Sequence, residues 1–520
     1  MKFGLFFGAG AEVGYGLPLG GKFAIDLFRQ DNTKEKSALR EVLNGLNNLT
    51  MYATKWLPDN YKGKRIHAFG KTEFRSLIES SIEYRKATIV ERLNAFDQLA
   101  ANALDSCDIK QEILEQKFKE FTGKDYGSEI YSQEIKVNPT LTGNVLLFES
   151  EFYSAVLDVI RKEGDTADIE KYATSILQLL IGAYGQELVQ KVNQEIFTKA
   201  PDDLTILDDI SGMFRLEFDK IGNTALGLLL ASGARCEVND TSGIQDILLA
   251  VLQEALELLF TEVLDYQSLI DSHWRYLYSP REDWAKFTKM VIFLHTTRSY
   301  MLQQLEANID ADAEGYYHDM LKLLDSSDTI EAIGTANYNN LIERVCGKII
   351  EKTSIYHLNG SVNDFYNPYK NTVIHDDDGK IPTDQIHVPF MLTQSGVKPL
   401  TSISMSRRYV ELFDKFKETD AIIAIGYNFN IDDNHINGLF RQLIEDEGKT
   451  LFWVTPIDEK SDGHLTKTLE EKMRLPTSVR DQVHIVRVNR ESRQTDDGLL
   501  WVDQIRATLA ESSVESSEAK

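Results

Sequence analysis

The chain has 520 residues, 42% hydrophobic and 26% charged, the balance of a globular protein with a prior of roughly one domain per 150 residues. Its 56 Lys and Arg against 81 Asp and Glu leave a net charge of −25, a field that repels phosphate backbones and argues against direct nucleic-acid binding. Three scattered cysteines, Cys107, Cys236 and Cys346, make neither a disulfide framework nor a zinc set, and no apolar run reaches the roughly 18 residues of a membrane span, so the expectation is a cytoplasmic protein without metal or membrane.

In chain order, Lys2–Phe7 is an apolar run closed by glycine and predicts a short buried strand. A glycine loop follows over residues 8–21, then a helix over 22–30 with apolar Phe23, Ile25, Leu27 and Phe28. From about residue 31 to 325 the pattern is almost wholly helical. The stretches 73–104, 144–162, 169–196, 244–269 and 281–305 place apolar residues three and four apart. Near residue 329 the pattern changes. Thr329–Thr335 and the stretches 354–358, 420–426, 450–454 and 481–488 read as strands, with helices over 405–417 and 501–509. This alternation predicts an α/β fold with a doubly wound, mostly parallel Rossmann-like sheet. The first strand finds its partners about 320 residues later, and residues 1–30 alone make no stable sheet. The economical organisation is one α/β domain, residues 1–30 and 325–510, interrupted by an all-helical insertion over 31–324. The Ser/Glu-rich tail, 511–520, is expected to be disordered.

Four turns carry the residues with chemistry. The first holds Gly8, Ala9 and Gly10, then Gly16, Leu17 and Pro18. A strand-to-helix glycine turn lets backbone N–H groups approach a pyrophosphate. It also serves as a tight turn needing only φ > 0. Val13 stands where the dinucleotide fingerprint has its third glycine. The second turn, Thr335 to Glu343, puts Asn337 at the carboxyl edge of a sheet, either to bind a ribose hydroxyl or water or to cap a helix. The third holds His357, Asn359, Gly360 and Ser361. A histidine ending a strand is either a general base or a structural group. The fourth holds Gly426, Tyr427, Asn428, Asp433 and His435, either as a polar sheet edge or as a capped loop before a helix. Together they describe the crevice of a nucleotide site.

These residues resemble the SIR2-like (sirtuin) superfamily. Gly8-Ala9-Gly10 with Gly16-Leu17-Pro18 is similar to its GAG-x5-G[IL]P loop. Thr335 to Asn339 is similar to T-x-N-[IY]-D, Leu358 to Ser361 to L-H-G-S, and Gly426 onward to the G-[TY]-S turn with a following D-x-H-I. The match spans residues 1–30 and 325–510. The resemblance implies NAD+ as the bound nucleotide. It also implies the bacterial defence-associated branch, whose members cleave the nicotinamide–ribose bond to deplete NAD+, because the deacylases' four-cysteine zinc module has no counterpart among three isolated cysteines.

Two positions depart from the family. Its Asp is Asn339 here, and its catalytic His aligns with Asn359, not with His357. An amide cannot accept a proton as those groups do. On an extended strand His357 shares the face of residue 359 at about 6.6 Å. The resulting expectation is an NAD+ hydrolase in which the glycine loop holds the pyrophosphate and Asn337 orients ribose and water. His357, or the group at 359, assists deprotonation. Asn339, Gly360, Ser361, Gly426, Tyr427, Asn428, Asp433 and His435 line the dinucleotide. The alternatives are a non-catalytic NAD+ or ADP-ribose sensor and a scaffold subunit of a defence complex. By resemblance, control falls to homo-oligomerisation or to a separate partner: a HerA-type ATPase, an Argonaute-type protein or a nucleotide-sensing protein.

Overall fold

A computed structural model describes residues 1–17, 20–130, 146–162, 166–184, 223–230, 237–264, 266–307, 309–310, 313–324, 328–347, 355–376, 381–392, 402–430, 433–457 and 461–518. Cys236, Pro18, residue 354 and the stretch 185–196 lie outside these residues.

Packing divides the chain into two units, one of Met1–Leu19, Gln30–Ala68 and Gln267–Lys520, the other of Gly20–Arg29 and Phe69–Tyr266. The first unit holds the strands β1 Lys2–Phe7, β2 Thr329–Thr335, β3 Ile355–His357, β4 Gly360–Asn367, β5 Thr372–His375, β6 Val388–Met391, β7 Ala421–Ile425, β8 Thr450–Pro456 and β9 Val483–Val488. Six form a parallel sheet in the order β3-β2-β1-β7-β8-β9. With β4 to β6 set aside, this is the doubly wound order, which reverses direction between β1 and β7.

The central strands are apolar on both faces, and their alternation assigns side chains to two cores. Phe3, Leu5 and Phe7 of β1 join Ala421, Ile423 and Ile425 of β7 on one face, beneath Tyr317, Ile342 and Trp501. Phe6 joins Ile422 and Ala424 on the other, against Leu412, Phe416, Phe440 and Leu469. Each buried Leu, Ile or Phe among them contributes about 1.5–3 kcal/mol. Helices Ile403–Lys417, Asn434–Glu445 and Asp462–Met473 supply the second face.

The sheet ends level. Phe7 pairs with Thr335 and with Ile425, and Thr335 pairs with His357. The turns after β1, β2, β3 and β7 therefore start side by side.

A three-stranded antiparallel sheet, β5-β4-β6, adds to the expected parallel one. The stretch 73–104, expected to be helical, is made of three helices, Lys71–Tyr84, Lys86–Asn94 and Phe96–Ser106. The final helix, Trp501–Glu518, runs on through most of the Ser/Glu-rich tail expected to be disordered. In the second unit, Gly20–Arg29 packs with Ile244–Val263, where Arg29 Nη2 meets Glu257 Oε1 at 2.6 Å. Among the described residues, no helix is long and apolar enough to cross a membrane.

Candidate functional site

The turn after β1 is not an open glycine loop but a 3-10 helix, Ala9–Tyr15, stopped by Gly16. Its glycines serve packing against the turn after β7. Gly8 N–H donates to Ile425 O and Gly10 N–H to Gly426 O, both at 2.9 Å. Gly426 has φ +63°, and a Cβ there would stand 2.1 Å from Ala11 N, closer than any real contact. The N–H groups of Gly8 and Gly10, expected to face a pyrophosphate, are therefore already paired with protein carbonyls. Leu17 is buried in the core.

The second turn is fixed from both sides. Thr335 Oγ1 donates to Phe7 O and accepts from Asn337 N, each at 3.0 Å. Asn337 Nδ2 donates to Gly8 O at 3.1 Å. Asn337 and Asn339 are both buried. Asn339 Oδ1 accepts from Leu341 N at 2.9 Å, which leaves its Nδ2 to donate to Glu12 Oε2 at 2.6 Å.

Glu12 is the residue that sequence reasoning missed. It is 3% exposed, and its Oε1 accepts from Tyr317 Oη at 2.6 Å. Burial pushes its carboxyl up from the ordinary 4.5 to about 7, against the opposing hydrogen bonds of Tyr317, Asn339 and Asn337 and the charge of His357. A signal existed, since Glu12 is the one charged residue between Gly8 and Gly21.

β3 ends at His357, and residues 358 and 359 form a turn. The expectation that His357 and Asn359 share a strand face is corrected by that turn. His357 Nδ1 donates to Asn337 O at 2.9 Å, and its Nε2 lies 2.8 Å from Glu343 Oε1. Burial lowers the imidazole pKa, but the Glu343 hydrogen bond and charge outweigh it, and the net shift is upward. Both ring nitrogens are thus engaged by protein. The geometry makes His357 a holder of the Asn337 carbonyl, in place of the general base expected of it.

Asn359 faces elsewhere. Its Oδ1 lies 3.1 Å from His435 Nε2, and its Nδ2 donates to Ala336 O at 3.4 Å. An amide oxygen only accepts, so His435 carries its proton on Nε2 at this contact. Gly360, at φ +81°, turns the chain into β4, where a Cβ would stand 2.0 Å from Phe390 O. Ser361 is buried, and its Oγ accepts from Asn363 N at 3.3 Å.

Beneath the third turn, Arg408 forks onto Asp364 with two bonds of 2.7 Å and donates to His357 O at 3.2 Å. The carboxyl of Asp364 is driven up by burial, yet Arg408 and His375 hold it well below the usual carboxylate range.

The fourth turn divides. Tyr427 is core, ringed by Phe6, Phe429 and Phe440, with its hydroxyl 3.4 Å from Asn437 Oδ1. Asn428 is exposed, Asp433 precedes the helix Asn434–Glu445, and His435 lies in its first turn. The structure thus brings Ala9, Asn337, Asn339, His357, Asn359 and His435 to the level strand ends, and places Leu17 and Tyr427 in the cores. Among the described residues, no group of three or more His, Cys, Asp or Glu could hold a metal ion.

No protein-family model, no curated protein and no solved structure matches this chain.

Proposed function

We propose that this protein is an NAD+ hydrolase that cleaves the nicotinamide–ribose bond and depletes cellular NAD+ in antiphage defence. The observation that carries this reading is the level register of Phe7, Thr335, His357 and Ile425. It gathers four polar turns at the carboxyl edge, on either side of the switch point between β1 and β7, where open α/β sheets take nucleotides.

In this reading the dinucleotide lies across that edge. The Asn337 side chain orients the nicotinamide ribose and the attacking water. His357 and Glu343 keep the Asn337 carbonyl in place. Nicotinamide leaves as a neutral base while the water oxygen bonds to the ribosyl carbon, and the water's proton is released to solvent. A good leaving group needs no covalent intermediate, so positioning and charge stabilisation supply the acceleration.

The test is the full-length protein expressed with its genomic neighbours, challenged with phage, with cellular NAD+ followed over time. Asn337→Ala abolishes the loss while the far-ultraviolet spectrum stays native. Retained turnover rejects the role of Asn337, and stable NAD+ under every condition rejects the enzyme.

A second reading, a non-catalytic NAD+ or ADP-ribose sensor or scaffold subunit, is favoured by the amides at 337, 339 and 359 and by the engagement of both His357 nitrogens. Calorimetric binding without turnover, in the presence of partners, selects it. Self-assembly or a partner subunit supplies control in either reading.

A further inference from the structure

Glu12 sits at the centre of a hydrogen-bonded cluster, and the reaction outlined above gives Glu12 itself no part. Its carboxylate receives Tyr317 Oη at 2.6 Å and Asn339 Nδ2 at 2.6 Å, and the Asn337 side chain hydrogen-bonds it as well. Those donors come from separate places in the chain: the helix Tyr316–Leu321 and the turn after β2. An ionised carboxylate only accepts, so each donor is oriented toward it. Asn339 has no freedom to flip, because its oxygen is committed to Leu341 N at 2.9 Å.

We infer that Glu12 is a positioning residue of this site: its carboxylate fixes the amide of Asn339 and the hydroxyl of Tyr317, and through them the turn that presents Asn337 to a ligand. The inference rests on the reading of Asn337 given above.

Protonation changes what the cluster can do. A proton on Oε2 leaves the Asn339 amide facing a donor. A proton on Oε1 is accommodated only by rotating the Tyr317 hydroxyl from donor to acceptor. The neutral cluster is therefore a different hydrogen-bond arrangement, and the exchange falls near neutrality, because burial raises the Glu12 carboxyl to about 7.

The other ionisable groups around it are few. Tyr317 itself is held well above its ordinary value, first by burial and then by the Glu12 charge. Tyr15, on the same 3-10 helix, stacks on Tyr317 at 5.3 Å, and its hydroxyl takes the Tyr317 N–H at 3.1 Å and meets His318 Nδ1 at 3.1 Å. His357 acts on Glu12 through its charge, with Glu343 as its own partner. Cys346, at the end of helix Leu341–Cys346, is pushed up to about 12 by burial and stays a neutral thiol. Glu12 is thus the group whose ionisation reorganises this cluster near pH 7.

The experiment uses the full chain and two readouts. The first needs no ligand: amide hydrogen exchange of the segment 336–341. Glu12→Ala speeds it by about tenfold at neutral pH, since two buried donors lose their acceptor, while the segments 2–7 and 421–425 keep wild-type protection. The second is NAD+ affinity by calorimetry between about pH 6 and pH 8. The wild type shows an inflection there. Glu12→Gln, which mimics the protonated carboxyl, shrinks the inflection to the part His357 contributes, without loss of the fold. Tyr317→Phe, which removes a donor to the carboxylate, moves it to higher pH.

Unchanged exchange in Glu12→Ala, or the same pH profile in Glu12→Gln as in the wild type, overturns the inference. If Glu12→Ala does not fold, Glu12→Gln and Tyr317→Phe decide. A wild type that binds no NAD+ at any pH defeats the hydrolase reading, and the exchange arm still decides the role of Glu12.

Discussion

His357 and Glu343 form a pair that shares a proton. Nε2 and Oε1 stand 2.8 Å apart, while the carbonyl of Asn337 obliges Nδ1 to carry hydrogen. With Nδ1 protonated, a short Nε2 contact to a carboxyl requires a proton between them, as imidazolium with carboxylate or as imidazole with carboxylic acid. The Asn337 carbonyl is tied to whichever state holds.

Removing one member of such a pair leaves the other buried without its partner. Glu343→Ala is expected to destabilise the fold by about 3 kcal/mol and to lower the His357 pKa, since burial is then opposed only by the Asn337 carbonyl and the Asp364 charge. Chemical denaturation and imidazole titration by NMR measure both. A stable variant whose imidazole titrates as in the wild type contradicts the pairing.

Stability is expected to fall as pH rises through neutrality. Glu12 has a folded pKa of about 7 against an ordinary 4.5. Its contribution is complete below about pH 4.5 and lost by about pH 7, a change on the order of 3 kcal/mol at 1.36 kcal/mol per pKa unit. His357 is raised as well, so its contribution is present below about pH 6.5 and lost above that. Asp364 is lowered and acts oppositely, losing its contribution as pH falls below about 4. The thermal midpoint should peak near pH 5, and Glu12→Gln should flatten the decline. A maximum at pH 8 would contradict both assignments.

The Asp364–Arg408 fork also has a measurable consequence. Asp364 is fully buried, and Arg408 reaches both its oxygens and the His357 carbonyl. Arg408→Ala is expected to cost about 3–5 kcal/mol and to loosen the turn bearing Asn359. Denaturant midpoints give the first effect, and proteolysis between residues 355 and 376 gives the second.

Gly426→Ala tests the packing of the two turns. Its Cβ would strike Ala11 N at 2.1 Å and Gly10 C at 2.5 Å. The expected loss is about 3 kcal/mol or more from forced backbone displacement, with loss of whatever nucleotide binding the wild type shows. Native stability in this variant would mean that the turns separate freely.

The parallel sheet was legible because strands covered on both faces are nearly unbroken apolar runs. Lys2–Phe7 and Thr329–Thr335 could be read to the residue. The antiparallel sheet was not. β4 buries Asp364 and Asn367, and their burial is made tolerable by Arg408, His375 and Gln385 elsewhere in the chain. No local pattern announces that. The stretch 73–104 hid its breaks, since Arg85 and Ala95, where the helices interrupt, are neither glycine nor proline. In the site, the turns after the strands were readable as polar and glycine-marked. The direction of each side chain was not. Tyr427 went to the core, and the strand carrying His357 stopped one turn short of Asn359. Glu12 was visible as a charge among glycines, but its pairing with Tyr317 spans 305 positions.

The position of β1 between β2 and β7 has a consequence for biosynthesis. β1 leaves the ribosome before either of its neighbours, at 329–335 and 421–425, and is central in the finished sheet. At about 5–20 residues per second, it waits roughly 20–80 s for its second neighbour to be translated. Throughout that interval a six-residue stretch containing Phe3, Phe6 and Phe7 is without its final cover, so chaperone occupancy of nascent β1 should decide how much folded protein a cell obtains.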